Sequence, residues 1–514
     1  MRHWKVGVLL LLLTAVAVWP QVPAHAQGTS PVRVGLYYNA SALSQVTVSS
    51  TGGLKLGWLT SGETWPVELL TQTGQATWLV RPETGGRYRV ASGDLPDRAT
   101  AADLQRCFER AVLAWTGSSW QIWVGDAADA ANATALQNEL ASQHPEQTWR
   151  VVGPDGKRSE LCTSSGQVLA VLPASDFYLA AAEGPFINFD NKPYRGWLEL
   201  RQQGGRFRVI NYVDLEDYLL GVVPREMSPS QPLEALKVQA IASRTVALTY
   251  RKHGSQGFDL CSQTCCQVYD HSRETANSNR AVQETRGLVI THQGQIKPVY
   301  YHADAGGHTE NPVYVWGSSI PHMQSVPEPY PTNSPYEYWE ERLTAAEIKQ
   351  ILAQMGHHVG DVLAVEPLAY TPAGRVERLR IVGTMGSTIL EREAIRLNLR
   401  LKSRVYTVKA DIPAVSVLAA NGQVLAVNPS GLQVATAAGQ QTLHRTDAYH
   451  LLGRNGQRRP SPAQAASFLF VGSGYGHGVG ISQHGAYAMA RQGHTYDEII
   501  KYYYRDVEIV KLGD

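Results

Sequence analysis

The chain lacks any excess of charge and, beyond its first residues, any long apolar run. Lys and Arg together number 46 and Asp and Glu 45, which leaves a formal net charge of +1. So balanced a charge argues against nucleic acid or an anionic membrane surface as the main partner. After residue 26 no stretch is long and apolar enough to cross a bilayer. The sequence therefore predicts no nucleic-acid partner and no membrane span in the mature protein.

The residues that are present suit ordinary globular domains. Hydrophobic residues make up 43% of the chain and charged residues 18%. A length of 514 residues is enough for roughly two to four domains. Phe is scarce (8), whereas Tyr (24) and Trp (12) are common. Aromatic side chains with a polar edge suit sugar faces, and they also suit ordinary cores.

The first 26 residues have the pattern of a signal peptide. Arg2 and Lys5 give a basic start, residues 6–19 form an apolar run, and residues 24–26 (AHA) form a small-residue cleavage site. The apolar run is short for a membrane span. We therefore expect an exported protein, located in the periplasm or the cell wall.

The remaining chain divides by pattern into three parts. Residues 27–85 contain short alternating runs separated by glycine turns, which predict a β-rich segment. Residues 86–153 read as a small α+β module of order β-α-β-α-β, with a helix over residues 102–115. Residues 178–514 mix helices and strands throughout. The predicted fold class is α+β, a mixed helix and sheet domain preceded by β-rich and small α+β modules.

Two helices are predicted between residues 214 and 253. Asp214 can cap the first helix, and Gly221 is placed just past its end. Residues 222–227 then form an apolar connector that holds one acid, Glu226. Ser230 and Pro232 open the second helix.

Two cations lie in the middle of the apolar face of that second helix. Lys237 and Arg244 are seven positions apart and so point the same way. Such cations are costly unless they meet carboxylates or a polar cleft, and Glu226 is the nearest candidate partner in the sequence. A buried ion pair, or long side chains that reach the surface, is the alternative.

Three stretches together resemble the SpoIID/LytB family of bacterial cell-wall proteins. They are residues 221–248 (GVVPREMSPSQPLEALKVQAIASRTVAL), 265–269 (CCQVY) and 474–490 (GYGHGVGISQHGAYAMA). The resemblance implies that Glu226 is the catalytic acid and that the GYGHG stretch lines the active-site groove. It identifies the expected substrate contacts, which are Lys237, Arg244, Tyr475, His477 and Gln483.

The glycines of residues 472–480 admit other interpretations. A phosphate cradle is disfavoured because no Lys-Ser/Thr pair follows them. A glycine-rich bend of a strand is the structural alternative. His302, Asp304 and His308 resemble a metal cluster, but no carboxylate-rich partner completes the set, so a metal is disfavoured there.

The five cysteines suggest disulfides, because the chain is predicted to be exported. Cys107 and Cys162 lie in the same N-terminal region and could pair. The other three, Cys261, Cys265 and Cys266, fall within six residues. A disulfide from Cys261 to Cys265 or to Cys266 would leave one thiol over.

The family resemblance offers a zinc site in place of that disulfide. It implies one structural zinc held by Cys261, Cys266 and His253, with His271 as an alternative nitrogen ligand. Cys265 departs from the family pattern and remains a spare thiol. Such a metal would brace the loop that carries Gln267 and Tyr269.

The resemblance thus implies a peptidoglycan-cleaving lytic transglycosylase that acts on glycan strands, including strands stripped of their stem peptides. The alternative is a non-catalytic amidase enhancer, which binds the cell wall and stimulates an N-acetylmuramoyl-L-alanine amidase as its partner. A third reading is an envelope-binding scaffold. It would rest on residues 120–141, which resemble a SPOR-like module that holds glycan strands.

Overall fold

A computed structural model describes most of the chain after the predicted signal peptide. The described residues are 22–23, 31–83, 86–411, 415–418, 423–427, 433–436, 439–442, 449–452, 458–461 and 465–513. Apart from Val22–Pro23, the predicted signal peptide lies outside them.

The helices are short, and most begin at a side-chain cap. They are α1 (Arg98–Gln105), α2 (Ala130–Gln143), α3 (Leu215–Glu226), α4 (Leu233–Thr249), α5 (Ala276–Glu284), α6 (Val313–Trp316), α7 (Ala345–Gln354), α8 (Glu393–Leu399), α9 (Gln483–Arg491) and α10 (Tyr496–Tyr503). The predicted cap Asp214 accepts hydrogen bonds from the backbone of α3, and Thr344 caps α7 in the same way. Each cap satisfies N–H groups that have no partner inside the helix.

Strands make up the larger part of the chain. Up to the start of α3 they are β1 (Val22–Pro23), β2 (Val32–Tyr37), β3 (Val46–Ser50), β4 (Leu54–Trp58), β5 (Val67–Gln72), β6 (Ala76–Pro82), β7 (Tyr88–Ser92), β8 (Val112–Trp115), β9 (Trp120–Ala127), β10 (Trp149–Val152), β11 (Ser159–Thr163), β12 (Val168–Leu172), β13 (Phe177–Ala181), β14 (Ile187–Phe189), β15 (Lys192–Tyr194), β16 (Trp197–Gln203) and β17 (Arg206–Val213). The later strands are β18 (Leu260–Cys261), β19 (Leu288–His292), β20 (Gln295–Ile296), β21 (Tyr301–His302), β22 (Trp339–Thr344), β23 (Val362–Tyr370), β24 (Val376–Gly383), β25 (Gly386–Glu391), β26 (Val405–Asp411), β27 (Val415–Leu418), β28 (Val424–Val427), β29 (Gln433–Thr436), β30 (Gly439–Thr442), β31 (Tyr449–Leu452), β32 (Arg458–Ser461), β33 (Ser467–Ser473), β34 (Ile481–Ser482) and β35 (Val507–Lys511). The predicted α+β class is confirmed.

The β-rich segment 27–85 shares its sheets with later parts of the chain. A seven-stranded sheet has the order β18-β2-β17-β16-β13-β4-β5, and a ten-stranded sheet has the order β10-β7-β9-β8-β12-β11-β6-β3-β14-β15. Strands from both sides of the predicted boundary near residue 85 therefore lie side by side. Alternation of apolar residues indicates which face of a strand is buried but does not identify the neighbouring strand.

Residues 86–153 form a β-α-β-β-α-β unit. The helix predicted over residues 102–115 was wrong in extent, because α1 ends at Gln105 and residues 112–115 form β8. Residues 112–115 pair with the buried strand β9, and this pairing outweighs the helical spacing of their apolar side chains. The strand order β10-β7-β9-β8, with antiparallel neighbours, is that of a split β-α-β fold. Glycan binding by this unit stays a prediction.

One large core joins the N-terminal sheets to α3, α4, α9 and α10. Helix α3 does not end at Gly221 as predicted but continues to Glu226, through Pro224. The glycine is required for packing, since a Cβ at this position would lie 2.7 Å from the ring of Tyr269. The continued helix makes Glu226 its last residue, so the acid has a fixed position instead of lying in a connector.

A second core is built by residues between 339 and 470. Its buried side chains come from α7, α8 and the sheets β22-β33-β26 and β23-β24-β25. Strand β33 leads out of this core directly into the glycine-rich loop. No helix of the described residues combines the length and the apolar character that crossing a membrane requires.

Candidate functional site

Glu226 lies at the end of α3 and lines a groove of about 680 Å³. Its Oε1 accepts a hydrogen bond from the backbone N–H of Val268 at 2.7 Å. Burial raises the pKa of Glu226 to about 7, and it outweighs the opposing effects of this bond, of Arg225 and of Gln483. A carboxyl group of this pKa gains and loses a proton near neutral pH, as general acid–base catalysis requires.

A series of hydrogen-bonded, buried polar side chains leads away from Glu226. Gln483 donates to the Glu226 carboxylate and, at 3.1 Å, to Oε1 of Gln239. Gln239 in turn donates to Oγ of Ser243 at 2.9 Å. With its own oxygen engaged, Gln239 holds the Gln483 amide with its N–H groups toward the acid. Gln483 therefore positions Glu226 in addition to lining the groove.

The glycine-rich loop forms another wall of the groove. Gly478 and Gly480 both have positive φ, and a Cβ on Gly480 would lie 2.0 Å from the carbonyl oxygen of Tyr300. This close approach brings Tyr475 and His477 to the groove. Tyr475 is 42% exposed and its ring lies 4.7 Å from that of Tyr336. An exposed, supported aromatic ring of this kind suits the apolar face of a sugar.

His477 is neutral in this site. Burial lowers its pKa to about 3, assisted by the charges of Arg396, Arg375 and Arg404. Its Nδ1 accepts a hydrogen bond from the backbone N–H of Val479 at 3.0 Å. A neutral imidazole in a groove can bind a sugar hydroxyl group but does not supply a cation.

Lys237 and Arg244 do not reach Glu226. The Arg244 side chain is 0% exposed, and its Nε and Nη2 donate to both oxygens of Glu216 at 2.8 and 2.7 Å. Nζ of Lys237 lies 2.8 Å from the carboxylates of both Glu234 and Glu284. Neither cation is among the described residues that line the groove. Lys237 and Arg244 therefore both form ion pairs, which was the alternative interpretation of the sequence, and we do not retain them as substrate contacts.

His253 and three thiols form a cluster beside the groove. The ligand atoms of His253, Cys261, Cys265 and Cys266 all lie within 4.8 Å of one another. Cys265, expected to be a spare thiol, is part of this set, with its Sγ 2.6 Å from that of Cys261 and 3.7 Å from Nε2 of His253. Below we call these four residues the thiol cluster.

Two other groupings that the sequence suggested do not form. His271, the alternative nitrogen ligand, is instead bound to Glu274 and to Tyr269. Cys107 is exposed and Cys162 is buried in β11, and no disulfide joins them.

The sequence around residue 302 also gathers no metal site among the described residues. His302 binds the carbonyl of Val479, Asp304 accepts from Gly306, and His308 contacts Thr309. Each of these side chains serves local backbone structure.

Trp316 and Arg396 are among the groove residues that no sequence motif indicated. Trp316 is 41% exposed, its ring lies 5.3 Å from that of His477, and it is the last residue of the short helix α6. Arg396 comes from α8, in the second core. Neither residue belongs to a motif. For Trp316, the one signal in the sequence was the surplus of Tyr and Trp over Phe.

Comparison with known proteins bears on the same residues. Residues 203–292 match the family model of the Stage II sporulation protein, SpoIID, and this stretch contains Glu226. Residues 331–421 match a domain of unknown function, DUF8618. The second match covers most of the described second core, including α8.

Similar proteins occur in two bacterial genera. An uncharacterized protein of Brachyspira hyodysenteriae is 29% identical over 306 residues, which cover 59% of this chain and 68% of that protein. Stage II sporulation protein D of Bacillus subtilis is 27% identical over 318 residues, 58% of this chain and 75% of that protein. The amidase enhancer of Bacillus subtilis is 25% identical over 308 residues, 56% of this chain but 39% of that protein. The resemblance read from the sequence is thus confirmed: the chain matches the SpoIID family model over residues 203–292 and is similar to Stage II sporulation protein D and to the amidase enhancer.

Proposed function

We propose that the chain is an exported lytic transglycosylase that cleaves the glycan strands of peptidoglycan at Glu226. One observation carries the proposal. Among the described residues that line the groove, Glu226 is the one acid, and its pKa is raised to about 7. Hydrolytic glycosidases commonly need a second carboxylate to activate water or to attack the sugar. A groove with a single acid of this pKa suits a reaction that consumes no water.

The proposed reaction uses one carboxyl group twice. The protonated Glu226 first donates its proton to the oxygen of the glycosidic bond, which breaks and leaves a new hydroxyl end. The resulting carboxylate then removes the proton from the 6-hydroxyl of the muramic acid. That oxygen bonds to the anomeric carbon and closes a 1,6-anhydro ring. Closure is intramolecular, so no positioned water is needed.

The products of wild-type protein test this function. Incubation with purified glycan strands should give fragments that end in 1,6-anhydro-muramic acid. Such ends are one water molecule lighter than reducing ends and resist borohydride reduction, so mass spectrometry before and after reduction distinguishes them. Reducing ends would show hydrolysis, with a second carboxylate outside the groove lining described here.

A second candidate function is stimulation of a cell-wall amidase. It is favoured by the similarity to a protein named amidase enhancer. In that role the groove would hold glycan without cleaving it. The chain would then raise the rate of a purified N-acetylmuramoyl-L-alanine amidase on intact sacculi and release no anhydro fragments by itself.

The thiol cluster has the donor types of a structural zinc site, and the 2.6 Å separation of the Cys261 and Cys265 sulfurs would have to widen for both to bind the ion. Three thiols and one imidazole, with ligand atoms within 4.8 Å of one another, form a Cys₃His donor set. We propose that Cys261, Cys266 and His253 hold zinc and that Cys265 completes the set. The bound ion would fix the loop that continues to Val268, whose N–H contacts Glu226. A disulfide between two of these thiols remains the alternative.

Metal analysis separates zinc from a disulfide. Protein purified without chelator should contain about one zinc ion per chain. Cys261→Ser should lose it, whereas Cys162→Ser, which changes an equally buried thiol in β11, should retain it. A metal-free protein whose mass shows two of the clustered thiols oxidised would contradict the zinc proposal.

A further inference from the structure

The second core contributes one wall of the groove. Helix α8 is anchored in that core by Ile395 and Leu399, which are fully buried. The two residues between them that point elsewhere, Arg396 and Leu397, line the same groove as Glu226. The region that matches DUF8618 therefore meets the SpoIID domain at the groove.

Arg396 brings positive charge to this wall, and its neutralisation is incomplete. Its Nε donates to Oε1 of Glu393 at 2.6 Å and its Nη2 lies 2.6 Å from the same oxygen, so one edge of the guanidinium group is paired while the side chain remains 21% exposed. The same Glu393 also faces Arg404, whose Nε lies 3.7 Å away. One carboxylate thus serves two guanidinium groups.

A third cation stands behind these two. Arg375 is fully buried against Gly478 of the glycine-rich loop, and the charges of Glu310, Glu393 and Asp304 act on it. Three arginines and three carboxylates therefore lie around this end of the groove, and Arg396 is the arginine among them that lines it. Burial is the main cause of the lowered pKa of His477, and the charges of these three arginines lower it further.

We propose that Arg396 binds the lactyl carboxylate of N-acetylmuramic acid and so selects peptide-stripped glycan strands. This proposal rests on the proposed function. A stem peptide converts the lactyl carboxyl group into a neutral amide, and its removal exposes a carboxylate on every second sugar. A guanidinium group binds a carboxylate through two parallel hydrogen bonds, and it gains little from an amide. The second core thereby sets which strands enter the groove.

Binding measurements in a Glu226→Gln background test the proposal, because the strands then survive. The probes are peptide-stripped strands, the same strands with their carboxylates converted to methylamides, and strands that keep their stem peptides. We expect the stripped strands to bind about tenfold more tightly than the methylamide strands. The methylamide removes the charge with little added bulk, so the difference measures recognition of the carboxylate.

Matched variants assign this preference to Arg396. Arg396→Gln should bind stripped strands and methylamide strands equally well, and Arg396→Lys should keep part of the preference for stripped strands. Arg378→Gln, at an arginine of β24 in the same region that is paired with Glu391 and does not line the groove, should keep all of it. A preference that survives Arg396→Gln overturns the proposal.

The outcomes separate this proposal from the proposed function. If stripped strands are preferred but the wild-type protein releases no anhydro fragments, the reaction is wrong and the carboxylate site stands. If fragments are released without any preference, the reaction stands and Arg396 has no such role. Equal binding of peptide-bearing and stripped strands would also overturn the proposal, because stem-peptide carboxylates would then serve as well.

Discussion

Glu226→Gln should lower the rate of glycan cleavage by about 10²–10⁴-fold, the usual contribution of a general acid–base group. The amide keeps the shape and can still accept the hydrogen bond of the Val268 N–H. It cannot donate a proton to the glycosidic oxygen or remove one from the 6-hydroxyl group. Binding of strands should therefore persist while anhydro fragments nearly disappear, as measured by release of soluble fragments from purified glycan.

Glu328→Gln is the matched control. Burial raises the pKa of Glu328 to about 7 as well, and this acid accepts a hydrogen bond from Tyr503 at 3.0 Å. It lies outside the groove lined by Glu226. The control should keep activity near that of the wild type. Full activity in Glu226→Gln, or equal losses in both variants, would refute the assignment.

The pH dependence of the free energy of unfolding shows whether Glu226 titrates near neutral pH in the folded protein. The folded-state pKa of Glu226 is raised to about 7 from an ordinary value of 4.5. The unfolded chain therefore releases this proton at lower pH than the folded chain does. The contribution of Glu226 to stability is full below pH 4.5 and is lost as pH rises through about 7. Thermal unfolding of Glu226→Gln should accordingly lack this loss.

Arg244→Gln should lower the free energy of unfolding by about 3–5 kcal/mol, the usual cost of removing one partner of a buried ion pair. The carboxylate of Glu216 would remain buried and would keep only the weaker bond from the N–H of Gly287. The carbonyl of Leu288 would lose the hydrogen bond that Arg244 donates. Denaturant unfolding at neutral pH measures the effect.

Two further variants show whether the loss comes from the ion pair. Arg244→Met combined with Glu216→Leu removes both charges, and it should recover much of the stability lost in Arg244→Gln. Lys237→Gln should cost less, because Lys237 is 14% exposed and its carboxylate partners are more exposed still. If Arg244→Gln unfolds like the wild type but fails to bind glycan, Arg244 contacts substrate instead.

The sequence was sufficient where one segment determines its own structure. Asp214 caps its helix as predicted, because a cap acts on the next three residues. Glu226, Tyr475, His477 and Gln483 were selected from motifs, and all four line one groove.

It was insufficient where the partner lies far away in the chain. The spacing of Lys237 and Arg244 showed two cations on an apolar face, but not that Glu216 and Glu284 would reach them. Arg396 lies on α8, whose buried residues Ile395 and Leu399 belong to the second core, so its place in the groove depends on how the two cores meet. The sequence also did not show that strands before and after residue 85 share sheets. The apolar pattern of a strand is the same whichever strand it pairs with.

The position of β2 has a consequence for the timing of folding. This first strand of the seven-stranded sheet lies between β17 and β18, and the N–H of Arg33 binds Asp259, 226 positions later. Contacts so distant in sequence form slowly, because a long stretch of chain must be ordered before they stabilise it. The sheet, and with it Cys261 beside Gly35, is completed only when residue 261 is available. We therefore expect that a chain threaded through a membrane from its N-terminus cannot complete this sheet until about half of it has emerged.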